Sequence, residues 1–235
     1  MEERWIPSAD APKVGGSSPS PASINFRVMA KGSGGTKSAS TSKGAKDFAR
    51  LQNSKDWFIS TGMGKYAAQK DDKDYDFSDL SGLNEQEKTY VVAYLNNAYR
   101  TVNNSLRGTE PNADGDLLAT KISSAIKKLK TYEGETYRRM SVSNKEAQKL
   151  LSYYKDNKGK EVTFKEFLST GKNQAKIKSK FSPYTNETSL DFVIQSKRGR
   201  DLRRYNSEEK EILFDKGSRF KVVSVSGKTI RLAEV

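Results

Sequence analysis

The pattern of apolar residues changes near residue 130, and this change limits the fold more than any other feature of the sequence. Before it, apolar residues recur at helical spacing. After it come short segments rich in Val, Ile, Phe and Tyr, separated by Gly or Ser turns. Asn84 is a good helix N-cap with acids in the following turn, and Gly108 is placed to end the same helix. Helices followed by a mostly antiparallel sheet system indicate the α+β class.

The pattern also predicts where the individual elements lie. The predicted strands cover 135–140, 161–164, 190–195, 211–214, 219–225 and 229–233. Helices are predicted over 117–130 and 144–154, after the helix that begins at Asn84, and an earlier helix is expected within 44–66. Ser226-Gly227-Lys228 has the composition of a hairpin turn.

Residues 1–42 are rich in Ser, Gly, Pro and Ala, and we predict a flexible leader there. Only 34% of the chain is hydrophobic and the mean hydropathy is −0.81. Both values agree with a leader that buries little apolar area. One folded domain is then expected over 43–235. The leader is either a simple linker or a segment recognised by a secretion or delivery system, and composition does not choose between them.

The amino-acid composition excludes several kinds of chemistry. The chain has no Cys and no His, which excludes disulfides, thiolate nucleophiles, histidine bases and the usual zinc sites. No apolar run is long enough to span a membrane, and the N-terminus lacks the apolar core of a Sec-type signal peptide. The net charge of +13 is compatible with nucleic acid, acidic proteins or anionic lipid as partners, and solubility alone also accounts for it.

Glu209 and Glu211 are two residues apart where a loop enters a predicted strand. Side chains alternate along a strand, so these carboxylates share one face. Such a pair can divide its work, one acid stabilising a developing cation and the other receiving a nucleophile's proton. A solvated charge cluster would have the same spacing, so the pair indicates an active site only together with the motifs upstream.

Four segments in order resemble motifs of mono-ADP-ribosyltransferase toxins: first the Ile-Asn-x-x-Leu-Arg helix of that family, and then the three parts of its Arg / Ser-Thr-Ser / Glu-x-Glu signature. The similarity is closest to the enzymatic components of binary actin-modifying toxins and to related effector and phage transferases. The segments are Val102-Asn103-Asn104-Ser105-Leu106-Arg107, Thr136-Tyr137-Arg138-Arg139-Met140, Phe167-Leu168-Ser169-Thr170-Gly171 and Glu209-Lys210-Glu211. One departure is Gly171, which replaces the third hydroxyl of Ser-Thr-Ser. The resemblance implies an ADP-ribosyltransferase-like fold, with N-terminal helices packed on two short, mostly antiparallel sheets.

The resemblance implies NAD as the substrate, no metal, and a small set of catalytic residues. Arg138 would bind the pyrophosphate, because a guanidinium donates two hydrogen bonds and stays charged. Glu211 would bind the ribose 2′-hydroxyl and stabilise an oxocarbenium-like ribose, and Ser169 would orient Glu211. Glu209 would select arginine as the acceptor, since a carboxylate can orient a guanidinium.

Further residues are implied to bind NAD or the target. The NAD-binding residues are Tyr94, Tyr99, Asn103, Arg138, Arg139, Thr170 and Phe181. For Phe181 the competing explanation is packing in the core, and for the two tyrosines it is packing against the sheet. The loop before the acids would meet the target protein through Arg203, Arg204 and Tyr205.

The expected function is transfer of ADP-ribose from NAD to an arginine of a target protein. The protein would be a monomeric toxin, secreted effector or phage-delivered modifier acting in the cytoplasm of a target cell, and an activator or immunity protein would be a compatible partner. Two alternatives stay open. An NAD glycohydrolase would use water as the acceptor. A basic nucleic-acid-binding protein would show steep salt dependence but leaves the two acids unexplained.

Overall fold

The structure is a computed structural model that describes residues 76–205, 207 and 210–235. The predicted leader, the domain boundary at residue 43 and the expected helix within 44–66 lie outside the described residues. Glu209 also lies outside them. Across the described part, no helix is long and apolar enough to cross a membrane.

Helices form the first part of the described chain. A 3₁₀ helix (Phe77–Leu80) precedes α1 (Glu85–Ala93), a π-helical turn (Tyr94–Ala98), α2 (Tyr99–Arg107) and α3 (Ala113–Ile126). Asn84 caps α1 as predicted: its Oδ1 accepts from the Glu87 backbone N–H at 2.9 Å, and Glu87 Oε2 accepts from the Asn84 N–H at 3.1 Å. Gly108, with φ of 77°, ends α2.

The structure differs from the predicted helices in two places. The helix expected from Asn84 to Gly108 is interrupted by the π-helical turn, so it is divided into α1 and α2. The helix predicted over 117–130 begins earlier, at Ala113, because Asn112 is its N-cap and accepts from the Gly115 N–H at 2.9 Å. It ends at Ile126, before the first strand begins at Thr131.

The predicted strands are confirmed, together with the helix predicted over 144–154. The remaining elements are β1 (Thr131–Ser143), α4 (Asn144–Asp156), β2 (Glu161–Phe164), β3 (Leu168–Gly171), α5 (Gln174–Lys180), β4 (Glu187–Leu202), β5 (Glu211–Phe214), β6 (Ser218–Ser226) and β7 (Thr229–Glu234). Strands β1 and β4 exceed their predicted lengths because they pair with each other along most of their length. Helix α5 is short and Lys-rich, and it was not predicted. The predicted hairpin is present, since Ser226 pairs with Thr229.

The described strands form one sheet in the order β1-β3-β5-β4-β7-β6-β2, with an additional β1–β4 pairing. The pairings are antiparallel except that between β4 and β7. The two separate sheets that were expected are joined, because β4 pairs first with β1 and then, through Arg200 to Leu202, with β5. Strands β1, β3, β5 and β4 therefore form a closed ring, which brings the three strand motifs together. The α+β class is confirmed.

Two apolar clusters lie on opposite faces of strands β3 and β5. Phe167 and Leu213 belong to the cluster that contains α1, α2 and α3. Leu168 and Ile212 belong to the other cluster, which contains α4. Because side chains alternate, Ser169 and Glu211 lie on the same face as Phe167 and Leu213, toward the N-terminal helices.

Candidate active site

Ser169 and Glu211 are joined by a direct hydrogen bond across β3 and β5. In the strand register Ser169 is opposite Leu213 and Gly171 is opposite Glu211, so Ser169 and Glu211 are diagonal neighbours on one face. Ser169 Oγ donates to Glu211 Oε1 at 2.7 Å, and Glu211 is 5% exposed. The hydroxyl therefore fixes the direction of a nearly buried carboxylate.

Arg138 on β1 contacts the backbone of Ser169. Its Nη1 donates to the Ser169 backbone carbonyl at 2.8 Å. The closed ring of strands accounts for this contact, because β3 pairs with β1 on one side and with β5 on the other. A guanidinium, a hydroxyl and a carboxylate from three separate sequence motifs are thus contiguous.

Asn103 links helix α2 to strand β3. Its Nδ2 donates to the Tyr94 hydroxyl at 3.2 Å and to the Phe167 carbonyl at 3.5 Å. Tyr94 is 3% exposed, packs edge-on against Phe167 with ring centroids 5.0 Å apart, and has its pKa raised by burial. The helix motif therefore lies against the strand that carries Ser169.

These residues line an open cleft that, together with the open solvent at its mouth, has a volume of about 700 Å³. Its lining is Tyr94, Leu95, Tyr99, Asn103, Tyr137, Arg138, Arg139, Phe167, Ser169, Thr170, Ile177, Phe181 and Glu211. The cleft brings together the residues expected to bind NAD and three of the four expected to be catalytic. Sequence reasoning gave no role to Leu95, Tyr137, Phe167 and Ile177. Tyr137 and Phe167 lay within quoted motifs, whereas Ile177 lies on the helix that was not predicted.

Two of the lining residues make strong contacts outside the cleft. Thr170 is buried, and its Oγ1 donates to the Ile212 carbonyl at 2.8 Å, which joins β3 to β5. The Arg139 guanidinium donates to both Asp191 carboxylate oxygens at 2.7 and 2.8 Å, and this raises the pKa of Arg139. Asp191 has no motif in the sequence that would have identified it.

The residues expected to recognise the target differ in exposure. Tyr205 is 6% exposed and packs edge-on against Phe77 at 5.5 Å, so it is a packing residue here and not the surface contact that was expected. Arg203 donates to both oxygens of Asp201 at 2.8 and 2.7 Å, and its guanidinium lies 5.1 Å from the Tyr132 ring centroid. Arg204 is exposed, and its backbone N–H donates to Asp79 at 2.6 Å.

No group of acidic side chains in residues 76–205, 207 and 210–235 is arranged to hold a metal ion.

The sequence profile of the ADP-ribosyltransferase exoenzyme family matches residues 46–233. No curated protein sequence matches the chain significantly.

Several solved structures share the fold at low sequence identity. Vis, an ADP-ribosyltransferase toxin from Vibrio splendidus solved in complex with agmatine, is 20% identical over 86% of this chain and 88% of its own, with a TM-score of 0.55. Exoenzyme S from Pseudomonas aeruginosa, solved with human 14-3-3 protein beta and carba-NAD, is 19% identical over 81% and 89%, with a TM-score of 0.54. The type III effector XopAI from Xanthomonas axonopodis pv. citri is 15% identical over 81% and 77%, with a TM-score of 0.54.

The profile covers most of the chain, and the folds of these neighbours agree with it. The family inferred from the four motifs is thereby confirmed, and so is the ADP-ribosyltransferase-like fold, with the two expected sheets joined into one. This chain belongs to the ADP-ribosyltransferase exoenzyme family.

Proposed function

We propose that this protein transfers ADP-ribose from NAD to an arginine of a target protein. The observation that supports the proposal most is the hydrogen bond between Ser169 and Glu211 beside Arg138 in the cleft. A carboxylate that is nearly buried and oriented by a neighbouring hydroxyl is suited to stabilising a cation that develops only in the transition state.

In the proposed reaction the bond between ribose C1′ and the nicotinamide nitrogen breaks, and nicotinamide leaves with the bonding electron pair. The ribose becomes oxocarbenium-like, and Glu211 stabilises it while binding the 2′-hydroxyl. A guanidinium nitrogen of the acceptor then donates its electron pair to C1′ and loses a proton. Glu209 is the proposed acceptor of that proton.

The other lining residues would bind NAD. Arg138 would donate to the pyrophosphate with the part of its guanidinium that does not contact the Ser169 carbonyl. Phe181, at the end of α5, would stack on the nicotinamide ring. Tyr99 and the Tyr94–Asn103 pair would line the side of the cleft formed by the N-terminal helices.

The choice of arginine as the acceptor rests on the first acid of Glu-x-Glu. Glu209 can orient a guanidinium, and Glu211 is already engaged with Ser169. Vis, a structural neighbour at 20% identity, was solved with agmatine, a small guanidinium compound, and this supports the same choice of acceptor. Arg204 and Arg203 remain the proposed contacts with an acidic region of the target.

We place the activity in the cytoplasm of a target cell, reached by secretion or injection. XopAI is a type III effector, and Vis is a toxin, which supports this placement. Exoenzyme S was solved with a 14-3-3 protein, so an activator is a reasonable kind of partner to seek.

NAD hydrolysis is the alternative that the site supports next. Ser169, Glu211 and Arg138 would serve equally well with water as the acceptor, so the two functions differ only in what attacks C1′. Binding of nucleic acid is less compatible, because a carboxylate in the cleft would repel phosphates.

The test uses labelled NAD with bacterial and eukaryotic lysates. Wild type should label a protein band, Glu209→Gln should lose labelling while still releasing nicotinamide, and Glu133→Gln should match wild type. Glu133 is an exposed acid on β1, so it controls for the change in charge. Nicotinamide release by wild type with no labelled protein in either lysate would favour the glycohydrolase. No NAD consumption at all would contradict the proposal.

A further inference from the structure

We infer that Asp79 is a positioning residue that determines whether ADP-ribose is passed to a guanidinium or to water. The inference rests on the proposed function, and it concerns the turn that follows β4. This turn, Arg203 to Tyr205, comes shortly before Glu209 in the chain, whereas Asp79 lies far away in the sequence, in the 3₁₀ helix at the start of the described chain.

Asp79 binds the backbone of the turn. Its Oδ2 accepts from the Arg204 N–H at 2.6 Å and from the Tyr205 N–H at 3.3 Å. The neighbouring Ser78 accepts from Arg204 Nη1 at 3.3 Å. A carboxylate that accepts from two consecutive backbone N–H groups fixes the direction of the chain at that point, because both bonds require one orientation of the peptide units.

Packing supports the same attachment. Phe77 and Tyr205 are 4% and 6% exposed, and their rings meet edge-on at 5.5 Å. Both belong to the cluster formed by the N-terminal helices. The 3₁₀ helix therefore contacts the turn through three side chains: the Asp79 carboxylate, the Ser78 hydroxyl and the Phe77 ring.

A second, separate attachment holds the chain at Lys210 and Glu211. The Lys172 backbone N–H donates to the Lys210 carbonyl at 3.1 Å, and Glu211 is fixed in β5 by pairing with Gly171 and by Ser169. Glu211 therefore does not depend on the turn for its position. In the sequence Glu209 lies between these two attachments, four residues after Tyr205 and directly before Lys210.

This separation predicts different effects on the two half-reactions. Cleavage of NAD requires Glu211, which β3 and β5 hold. Delivery to a guanidinium requires Glu209, which closely follows in the sequence the turn that Asp79 binds. Because misplacing a reacting group by about 1 Å can cost about a hundredfold in rate, loss of the Asp79 bonds should act on transfer before it acts on cleavage.

The experiment compares purified wild type, Asp79→Ala and Asp79→Asn. Two rates are measured: nicotinamide release without an acceptor, and formation of ADP-ribosyl-agmatine from agmatine. We expect Asp79→Ala to lose at least about tenfold in transfer, while nicotinamide release stays within about twofold. Asp79→Asn keeps an oxygen acceptor and should recover most of the transfer. Asp156→Ala removes an exposed carboxylate on α4 and should match wild type in both rates.

Equal losses of both rates in a folded Asp79→Ala protein, or no loss of transfer, would overturn the inference. If Asp79→Ala does not fold, Asp79→Glu serves instead, because it keeps the charge and moves the oxygens by one methylene. Its ratio of transfer to release should fall below that of Asp79→Asn, and an unchanged ratio would overturn the inference. Wild type that releases no nicotinamide would count against the proposed function itself, so the two failures are distinguishable.

Discussion

At the scale of single residues, the proposed chemistry depends on the direction in which one carboxylate points. Glu211 could rotate about its side-chain bonds, and the bond from Ser169 at 2.7 Å limits that rotation. Gly171, which replaces the third hydroxyl of the family motif, lies directly opposite Glu211. Its backbone pairing still places β5, so orientation of the carboxylate falls to Ser169.

Ser169→Ala should therefore lower kcat for nicotinamide release by about ten- to a hundredfold, with a smaller change in KM. Ser169 is only partly buried, so the unfolding midpoint of the Ser169→Ala protein in denaturant should stay close to that of wild type. Ser179→Ala, an exposed serine on α5, is the matched control. An unchanged kcat in Ser169→Ala would contradict the orienting role.

A second residue-scale prediction concerns the buried ion pair between Arg107 and Glu166. Arg107 Nε lies 3.3 Å from Glu166 Oε1, and the side chains are 3% and 1% exposed. Glu166→Gln should destabilise the protein by about 3 kcal/mol, because it leaves a buried charge without its counter-ion. Equilibrium unfolding in urea measures this.

Replacing both members of the pair, as Arg107→Met with Glu166→Leu, should recover much of that loss because neither charge then remains buried. Similar unfolding free energies for wild type and Glu166→Gln would show that the pair contributes little.

At the scale of secondary-structure elements, β5 is positioned by its two neighbours. It pairs with β3 on one side and with the last residues of β4 on the other. Gly199 in β4 permits this approach, since a Cβ there would lie 2.6 Å from Ile212 Cγ2 and 2.7 Å from Ser196 Oγ. Both distances are shorter than atoms tolerate, so β5 or its neighbours would have to move.

Gly199→Ala should cost about 1–3 kcal/mol of stability through overpacking, and it should also reduce nicotinamide release because Glu211 begins β5. Gly82→Ala is the control: a Cβ there would be 3.7 Å from the Lys128 carbonyl oxygen, and we expect a change within about 0.5 kcal/mol. Thermal unfolding of both variants checks this, and equal effects would contradict the role assigned to Gly199.

The end of β4 also gives a prediction for pH dependence. Burial raises the pKa of Asp201, but hydrogen bonds from the Arg203 side chain and backbone lower it more, so the net pKa lies below 3.8. A carboxyl with a lowered folded-state pKa contributes stability above its unfolded-state pKa, and that stability is lost as the pH falls through the folded-state pKa. Asp201→Asn should therefore cost about 1 kcal/mol at pH 7.

The same variant should differ less from wild type as the pH falls below 3.8, because wild type then loses this contribution. Urea unfolding at pH 7 and at acid pH measures the change. A difference between the two proteins that is constant over this range would contradict the assigned pKa shift.

At the scale of the whole molecule, two apolar clusters hold the motif strands between them. The helical cluster includes Leu213 of β5 and Phe167, the residue before β3, and the cluster with α4 includes Leu168 of β3 and Ile212 of β5. Because alternate residues of both strands are buried on opposite faces, a one-residue slip of either strand would turn Ser169 or Glu211 toward the other apolar cluster. The register that joins Ser169 to Glu211 is therefore fixed by packing of the whole fold.

The sequence predicted those parts of the fold that are encoded by neighbouring residues. Short segments rich in Val, Ile and Phe predicted β2 and β5 with their observed bounds, and the Asn84 cap predicted the start of α1. Contacts between distant segments left no local pattern. The Arg139–Asp191 pair, the burial of Tyr205 and the contact of Asp79 with Arg204 all depend on strand pairing and packing that no motif encodes.

The most direct test of the account is the rate of nicotinamide release from NAD by wild type and Glu211→Gln. Glutamine has nearly the same shape and can still accept from Ser169, but it lacks the charge that would stabilise the ribose cation. We expect kcat to fall by about a hundredfold or more, with an unfolding midpoint close to that of wild type. Nicotinamide release by a folded Glu211→Gln protein at the wild-type rate would contradict the account.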